Sequence, residues 1–324
     1  MATPIGANDV TAIVNRYLID TLVDVVYPSN PITYRLHKQK KVVVSGGTQI
    51  EVPLMFSRFA AGGWYQGYDA LSMVPSNTVK NLAFDWKQAY VPVVVDNGTL
   101  MRTDSPDAIY NYISQKWMQA EIEMAEILGT ALWSDGIVDP KSPDGLKAIV
   151  DNGSVAATYG GNLRSGFTAL NSTIDSATST LTLNSLIDLV NNASEGGRHP
   201  TVIVSRKEQW ARYVKLNVAL QQYFLGPSGA DESMASAGFT TAVFSGIPWL
   251  VDSHVFDGPN ASNSSIVALN EDYFQLVINK RADFRMEPFQ KPVNQDVFAS
   301  AIYWGGNLVC MAPGRQAKMT NISA

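Results

Sequence analysis

The sequence has little cysteine, little charge and no long apolar run. Its 324 residues contain one cysteine, Cys310, so no internal disulfide can form and a disulfide-stabilised secreted scaffold is excluded. Only 16% of the residues are charged, and the 24 basic and 29 acidic side chains leave a net charge of -5. Without a long basic run, a dedicated nucleic-acid-binding protein is not expected, because phosphate neutralisation requires clustered lysine and arginine. No window of about 18 apolar residues occurs, so we expect no membrane span.

Recognisable catalytic patterns are also missing. The three histidines, His37, His199 and His254, lie far from one another and from Cys310, so none has the spacing of a metal site. No phosphate-binding glycine loop, dinucleotide-binding loop or nucleophile elbow occurs. We therefore predict a protein that is not an enzyme and has no catalytic residue, no cofactor and no metal. The alternative from another class is a soluble two-domain α/β enzyme with a site near 252–254.

The clearest predicted element is a helix of about 43 Å over residues 105–134. Ser105 is a suitable N-cap and Pro106 suits the first helical position. Apolar residues at spacings of three and four form one continuous stripe from Ile109 to Leu132. Three carboxylates are predicted to lie off this stripe, namely Glu121, Glu123 and Glu126. Such a length favours a rod that organises a flattened subunit, although a long core helix of an enzyme is the alternative.

An aromatic connector is the second distinctive feature. Strand patterns at 40–44 and 48–54 are followed by another strand pair at 79–96, and about two dozen residues lie between them. That connector is too long for a hairpin turn and carries large aromatic side chains, among them Phe59, Trp64, Tyr65 and Tyr68. It must cover its own body, line a ligand site or insert into another subunit, because large exposed apolar patches are otherwise avoided.

The remaining chain predicts further elements of both kinds. An amphipathic helix is predicted over 8–26, ending at a proline-rich turn before residue 32, and a strand over 145–150. A helix–strand–helix order over 183–214 predicts a compact α/β module, and residues 265–313 are mainly strand-like. The densest basic cluster comprises Arg35, His37, Lys38, Lys40 and Lys41. It indicates either contact with a polyanion or an acidic neighbour, or a solvated strand start.

This order of elements resembles the major capsid proteins of tailed bacteriophages, which share a fold named after phage Hong Kong 97. The segment FSGIPWLVD at 244–252 is similar to a Gly-x-Pro strand of that family, and IVALN at 266–270 is similar to the strand that follows it. FRMEP at 284–288 and LVCMAPGR at 308–315 are similar to the family's terminal strands. The pattern extends over nearly the whole chain.

The resemblance implies an α+β fold with named parts. These are an N-terminal arm at 1–36, an extended β-hairpin loop at 37–98, a peripheral domain at 99–180 with the spine helix at 105–134, an axial domain at 181–260, and terminal strands at 261–324 that return to the peripheral and axial core.

The resemblance also implies a structural function. Many copies would form hexamers and pentamers of an icosahedral shell that encloses double-stranded DNA and contacts it weakly, in a virion assembled in the bacterial cytoplasm. The extended loop would contact a neighbour through Phe59, Trp64, Tyr65 and Tyr68, and the spine helix through Glu121, Glu123 and Glu126. A portal is implied as a partner, with scaffolding and decoration proteins as possible further partners and no membrane.

Two departures from some family members bear on these expectations. The arm is too short for a long scaffolding segment, so a separate scaffolding protein, or none, is implied. No lysine occurs from Leu54 to Val79, where a self-crosslinking relative would carry one, so we predict non-covalent joining of subunits. The alternatives within related classes are an encapsulin-type shell that stores a cargo enzyme, and another phage structural protein such as a tail-tube subunit.

Overall fold

A computed structural model describes residues 30–57, 62–71, 75, 77–102, 106–136, 139–176, 180–219, 242–256 and 264–322. Its α-helices are α1 (Pro31–Lys40), α2 (Asn97–Arg102), α3 (Pro106–Trp133), α4 (Leu146–Ile149), α5 (Leu183–Ala193) and α6 (Lys207–Ala219). Short 3-10 helices lie at Arg164–Gly166, Thr168–Leu170, Glu271–Tyr273 and Pro313–Arg315. The helix predicted over 8–26 lies outside the described residues.

Fifteen strands are assigned in the described part of the chain. They are β1 (Lys41–Val44), β2 (Gln49–Met55), β3 (Val79–Asp85), β4 (Lys87–Asp96), β5 (Thr158–Tyr159), β6 (Asn162–Leu163), β7 (Thr173–Asp175), β8 (Val202–Ser205), β9 (Ala242–Phe244), β10 (Ile247–Val251), β11 (Ser264–Leu269), β12 (Phe274–Asn279), β13 (Arg285–Met286), β14 (Val297–Cys310) and β15 (Ala317–Ile322). Among the described residues, no helix combines the length and apolarity needed to cross a membrane.

The first body is a five-stranded sheet covered by the long helix α3. Strand β14 is its centre, because its residues 297–306 pair antiparallel with β4 and its residues 306–310 pair antiparallel with β12. Strand β1 joins the sheet edge as a parallel partner of β12. On α3, the predicted stripe is buried at Ile113, Trp117, Ala120, Met124 and Leu128, which confirms both the face and, to within one residue at each end, the bounds of this helix.

The second body is a six-stranded sheet in the order β7-β15-β11-β8-β10-β9, with its own apolar core. Helix α5 begins with a capping box in which Thr182 and Ser185 exchange hydrogen bonds, and it buries Leu186, Leu189 and Val190. The predicted helix–strand–helix module over 183–214 is therefore confirmed. Strands β11 and β15 bring the C-terminal part of the chain into this sheet.

The predicted hairpin over 37–98 is wrong in its extent. Only β2 and β3 pair with each other, from Gln49 with Asp85 to Met55 with Val79. Strands β1 and β4 belong instead to the five-stranded sheet, because β4 pairs with β14 over ten residues. The projecting part of this region is therefore a hairpin of about 49–85, and we call it the β2–β3 hairpin.

Two further predictions are corrected. The strand predicted over 145–150 is the one-turn helix α4, whose Leu146 and Ile149 are fully buried. Helix α1 stands where the sequence pattern predicts a terminating turn that includes Pro31. Proline at the first helical position instead starts α1, which buries Ile32 and Leu36 one turn apart.

Candidate assembly surface

The base of the β2–β3 hairpin is anchored in the first body. One face of the hairpin buries Ile50, Val52, Leu54, Leu82 and Phe84. The alternate residues of β2 are exposed, as expected for a two-stranded ribbon with one covered face.

A tight turn between β5 and β6 holds strand β3 of this hairpin. The Ala83 backbone N–H donates to the Gly160 carbonyl oxygen at 3.1 Å, and the Asn162 side chain donates to the Asn81 carbonyl oxygen at 3.0 Å. Gly160 and Gly161 both have positive φ, as a two-residue type I′ turn requires.

The tip of the hairpin exposes aromatic side chains. Trp64 and Tyr68 are fully exposed and Tyr65 is 67% exposed. A turn holds them, because the Asp69 carboxylate accepts from the Gln66 backbone N–H at 2.9 Å and the Asp69 N–H donates back to the Gln66 carbonyl oxygen. None of these three aromatic residues covers the body of its own subunit. Phe59, the fourth predicted contact residue, lies outside the described residues.

The carboxylates predicted on α3 divide into three environments. Glu121 is only 4% exposed, so its prediction as part of an exposed acidic face is wrong. Its Oε1 has no hydrogen-bond partner among the described residues, and burial raises the pKa of its carboxyl group. It lies one turn beyond Trp117 on the buried stripe, where the sequence pattern predicted only apolar residues. Glu123 is exposed, as predicted.

Glu126 has a partner in its own subunit. Its Oε2 lies 3.1 Å from His254 Nε2, while His254 Nδ1 lies 3.1 Å from Asp252 Oδ1. Trp133 Nε1 donates to the second oxygen of Asp252 at 3.0 Å. The hydrogen bond with Asp252 is the main reason why the pKa of His254 is raised from 6.5 to about 9, with Glu126 adding to it and burial opposing it. This group joins α3 to the end of β10.

The geometry around His254 bears on the enzyme alternative. Both of its ring nitrogens are occupied by carboxylates, and Asp252 is 2% exposed and also accepts from Trp133. A general base needs a free nitrogen that faces its substrate. No group of three His, Cys, Asp or Glu side chains suited to a metal ion occurs within the described ranges. We therefore interpret this group as a structural junction.

Three residues of the basic cluster form ion pairs within the subunit. Arg35 makes a two-pronged ion pair with Glu271, with nitrogen–oxygen distances of 2.8 and 2.7 Å, and both side chains are buried. Lys40 pairs with Asp272 at 2.8 Å and Lys41 pairs with Asp283 at 2.6 Å. These pairs join α1 and the start of β1 to the segments on either side of β12, so neither the polyanion nor the solvated-strand interpretation describes these three residues.

No protein-family model matches the sequence, and no curated protein matches it. Solved structures do match the fold. The capsid asymmetric unit of cyanophage A-1(L) superposes with a TM-score of 0.67 and 14% identity, covering 95% of this chain and 96% of that chain. The capsid of a native GTA particle superposes with a TM-score of 0.59 and 14% identity, covering 89% of this chain and 90% of that chain. The holo-SrpI encapsulin complex from Synechococcus elongatus PCC 7942 superposes with a TM-score of 0.54 and 10% identity, covering 90% of this chain and 87% of that chain. The chain therefore has the fold of phage capsid proteins, and the predicted mixture of helices and strands is confirmed.

Proposed function

We propose that this protein is the major capsid protein of a tailed bacteriophage, whose copies assemble as hexamers and pentamers into an icosahedral shell around double-stranded DNA. The observation that carries the proposal is the joint occurrence of a capsid-protein fold over 95% of the chain and a projecting hairpin with an exposed aromatic tip. A subunit that worked alone would leave these aromatic residues in water, which is unfavourable. In a shell each tip is covered by a neighbour.

The proposal assigns the parts of the Hong Kong 97-like fold to the observed elements. The first body, with the five-stranded sheet and α3, corresponds to the peripheral domain and its spine helix. The six-stranded sheet with α5 and α6 corresponds to the axial domain around capsomer symmetry axes. The β2–β3 hairpin is the extended loop, with Trp64, Tyr65 and Tyr68 as its contact residues and Phe59 as a further predicted one. Glu123 on α3 remains a proposed contact with a neighbouring subunit.

Subunits are proposed to be joined without covalent bonds. The hairpin tip has no lysine between Leu54 and Val79, so an amine is missing for a crosslink at this position. Denaturing gels of mature shells should show the monomer alone, and a ladder of covalent oligomers would overturn this part of the proposal.

The shell is proposed to enclose the DNA while binding it only weakly. A net charge of -5 and the internal pairing of lysines 40 and 41, in the densest basic cluster of the sequence, support this proposal, because tight binding of phosphates requires clustered cations that are free to contact them. Weak contact allows the duplex to slide during packaging and ejection. A portal is a proposed partner, and scaffolding and decoration proteins are possible further ones.

Negative-stain microscopy of the purified protein tests the assembly proposal. The wild-type chain should form closed shells or hexameric capsomers. The double variant Trp64→Ser/Tyr68→Ser should lose closed shells, because the interface loses two aromatic contacts of ~1–3 kcal/mol each. Gln66→Ser, in the same turn, should assemble like the wild type. Monodisperse monomers of the wild-type chain at high concentration would contradict the proposal.

An encapsulin-type shell is the second candidate, and the SrpI encapsulin complex among the similar structures supports it. The capsid reading is favoured because the cyanophage capsid superposes with a higher TM-score over more of the chain. The two differ in their contents. Shells isolated from the natural source should contain nuclease-protected DNA if the protein is a phage capsid subunit. A single co-purifying enzyme without DNA would favour the encapsulin alternative.

A further inference from the structure

Helix α3 has one stripe that is covered in its C-terminal half and exposed in its N-terminal half. At 100° per residue, Met118, Ile122, Ala125 and Gly129 lie within about 40° of a common line along the helix. Ala125 is 5% exposed and Gly129 is buried. Ile122 and Met118, about one and two turns nearer the N-terminus than Ala125, are each 58% exposed. The same line thus changes from buried to exposed within one turn.

The cover on the C-terminal half is the first described residue of the chain. Asn30 is 1% exposed, and its Nδ2 donates to the Ala125 carbonyl oxygen at 2.7 Å. Its Oδ1 and the ring of His254 pack so closely on Gly129 that a β-carbon there would lie 2.7 Å from Oδ1 and 2.9 Å from His254 Cε1. The chain therefore reaches α3 at the point where the exposed part of the stripe begins.

The preceding segment has a matching pattern and length. Residues 8–26 place Val10, Val14, Leu18 and Leu22 at four-residue spacing, with Ile13 and Tyr17 beside them, which predicts a helix with one apolar stripe. Nineteen residues of helix extend about 28 Å, and the part of α3 between Pro106 and Ala125 has the same length. The three residues 27–29 connect the two, and they span up to ~10 Å.

We propose that the exposed stripe at Met118 and Ile122 is the docking site for the apolar stripe of residues 8–26 of the same chain. The docked helix runs alongside α3, with Leu22 near Ile122 and Leu18 near Met118. This contact continues the cover that Asn30 begins and extends the attachment of the N-terminal arm to α3. It does not depend on the contents of a shell or on its symmetry.

Cysteine labelling in the full-length chain tests the docking. Cys310 is fully buried, and burial raises the pKa of its thiol to about 12, so an introduced cysteine is the reactive one. Ile122→Cys should react with a maleimide about tenfold more slowly than Gln119→Cys, an exposed position on the same helix off the stripe. Adding Leu18→Asp and Leu22→Asp should bring the two rates together. Equal rates without these aspartates would overturn the proposal.

Disulfide formation distinguishes the chain's own segment from that of a neighbour. Under mild oxidation, Leu22→Cys/Ile122→Cys should form an internal bond and stay monomeric on non-reducing denaturing gels, since docking brings the two Cα atoms within disulfide range. A mixture of the two single variants should give no mixed dimer. A disulfide-linked dimer in that mixture would show that the segment docks on another copy, and absence of any bond in the double variant would show that it does not dock at this site.

Discussion

The body of the subunit and the β2–β3 hairpin differ in what they leave unpaired. In the body, buried charges such as Arg35 with Glu271, and Lys318 with Asp151 at 3.3 Å, form ion pairs, although Glu121 keeps one carboxylate oxygen without a partner among the described residues. At the hairpin tip, the unpaired groups are apolar, and Trp64 and Tyr68 are fully exposed. An unpaired buried charge destabilises the chain that contains it, so the paired charges of the body indicate that the body stabilises the fold. Covering exposed aromatic surface stabilises a contact between chains, so we infer that the tip stabilises the association of subunits.

The largest expected effect tests the internal pairing of the body. Arg164 is 1% exposed and its guanidinium donates to four carbonyl oxygens, those of residues 148, 149, 151 and 170. Arg164→Met removes all four hydrogen bonds. The Asp151 carbonyl oxygen keeps the Ser172 N–H as a donor at 2.9 Å, but the other three carbonyl oxygens lose a buried donor, so the free energy of unfolding should fall by ~3 kcal/mol or more. Chemical denaturation of the unassembled subunit measures this.

The matched control for that variant is an arginine on the surface. Arg285 pairs with Glu287, but the two side chains are 54% and 38% exposed. Arg285→Met should therefore change the free energy of unfolding by less than ~0.5 kcal/mol. If the two variants lost the same free energy of unfolding, the buried hydrogen bonds of Arg164 would contribute no more to stability than the exposed ion pair of Arg285.

Local signals in the sequence were sufficient for the elements that carry them. The bounds of α3 follow from a cap, a proline and a stripe that all agree, and the predicted 105–134 differs from the observed Pro106–Trp133 by one residue at each end. The length and aromatic content of the connector also limited it to three arrangements, and insertion into another subunit, which requires an exposed aromatic tip, was one of them. Helix α1 was missed although Pro31, Ile32 and Leu36 carry its pattern, because proline marks both helix ends and helix starts.

Features that depend on distant parts of the chain were not predictable in this way. The sequence pattern predicts β4 as part of the hairpin because it follows β3 directly, but its partner β14 lies about 200 residues later. The prediction places Glu121 on an exposed face because carboxylates are rarely buried, although its position one turn beyond Trp117 continues the buried stripe. The pairing of His254 with Glu126 joins residues 128 apart, and no motif announces it.

A second prediction concerns how pH changes the stability of the junction that His254 forms between α3 and the end of β10. The pKa of His254 is about 9 in the folded chain and 6.5 ordinarily, so its protonated ring stabilises the fold fully below pH 6.5. That contribution is lost as the pH rises through about 9. His254→Gln should therefore lower the free energy of unfolding by roughly 2 kcal/mol at pH 6, after allowance for the exposure of Glu126, and by much less at pH 9.5.

The comparison of variant and wild type at each pH cancels other titrating groups. Glu126→Gln should retain most of the pH dependence, because the hydrogen bond with Asp252 is the larger cause of the raised pKa. A loss in His254→Gln that is the same at pH 6 and pH 9.5 would contradict a stabilising imidazolium at this junction.

A smaller difference is expected where the hairpin meets the body. Gly160 and Gly161 both have positive φ, but a β-carbon at Gly160 would lie 2.8 Å from Leu82 Cβ, whereas nothing lies within 4 Å of one at Gly161. Gly161→Ala should lower the free energy of unfolding by ~1 kcal/mol through backbone strain alone. Gly160→Ala should lower it by ~1 kcal/mol more, because the hairpin strand must shift. Thermal unfolding of the two variants side by side measures the difference, and equal losses would mean that the β5–β6 turn does not hold strand β3 in place.

The smallest expected effect is at the tip, and it is the sharpest test of the comparison between the two regions. Trp64→Ser/Tyr68→Ser removes two large side chains that touch nothing in their own subunit, so the free energy of unfolding of the unassembled chain should change by less than ~0.5 kcal/mol. Leu82→Ala, at the buried base of the same hairpin, should cost ~2–5 kcal/mol. A tip variant that destabilised the isolated subunit as much as Leu82→Ala would mean that these aromatic residues serve the fold of their own chain, and their role in association would have to be abandoned.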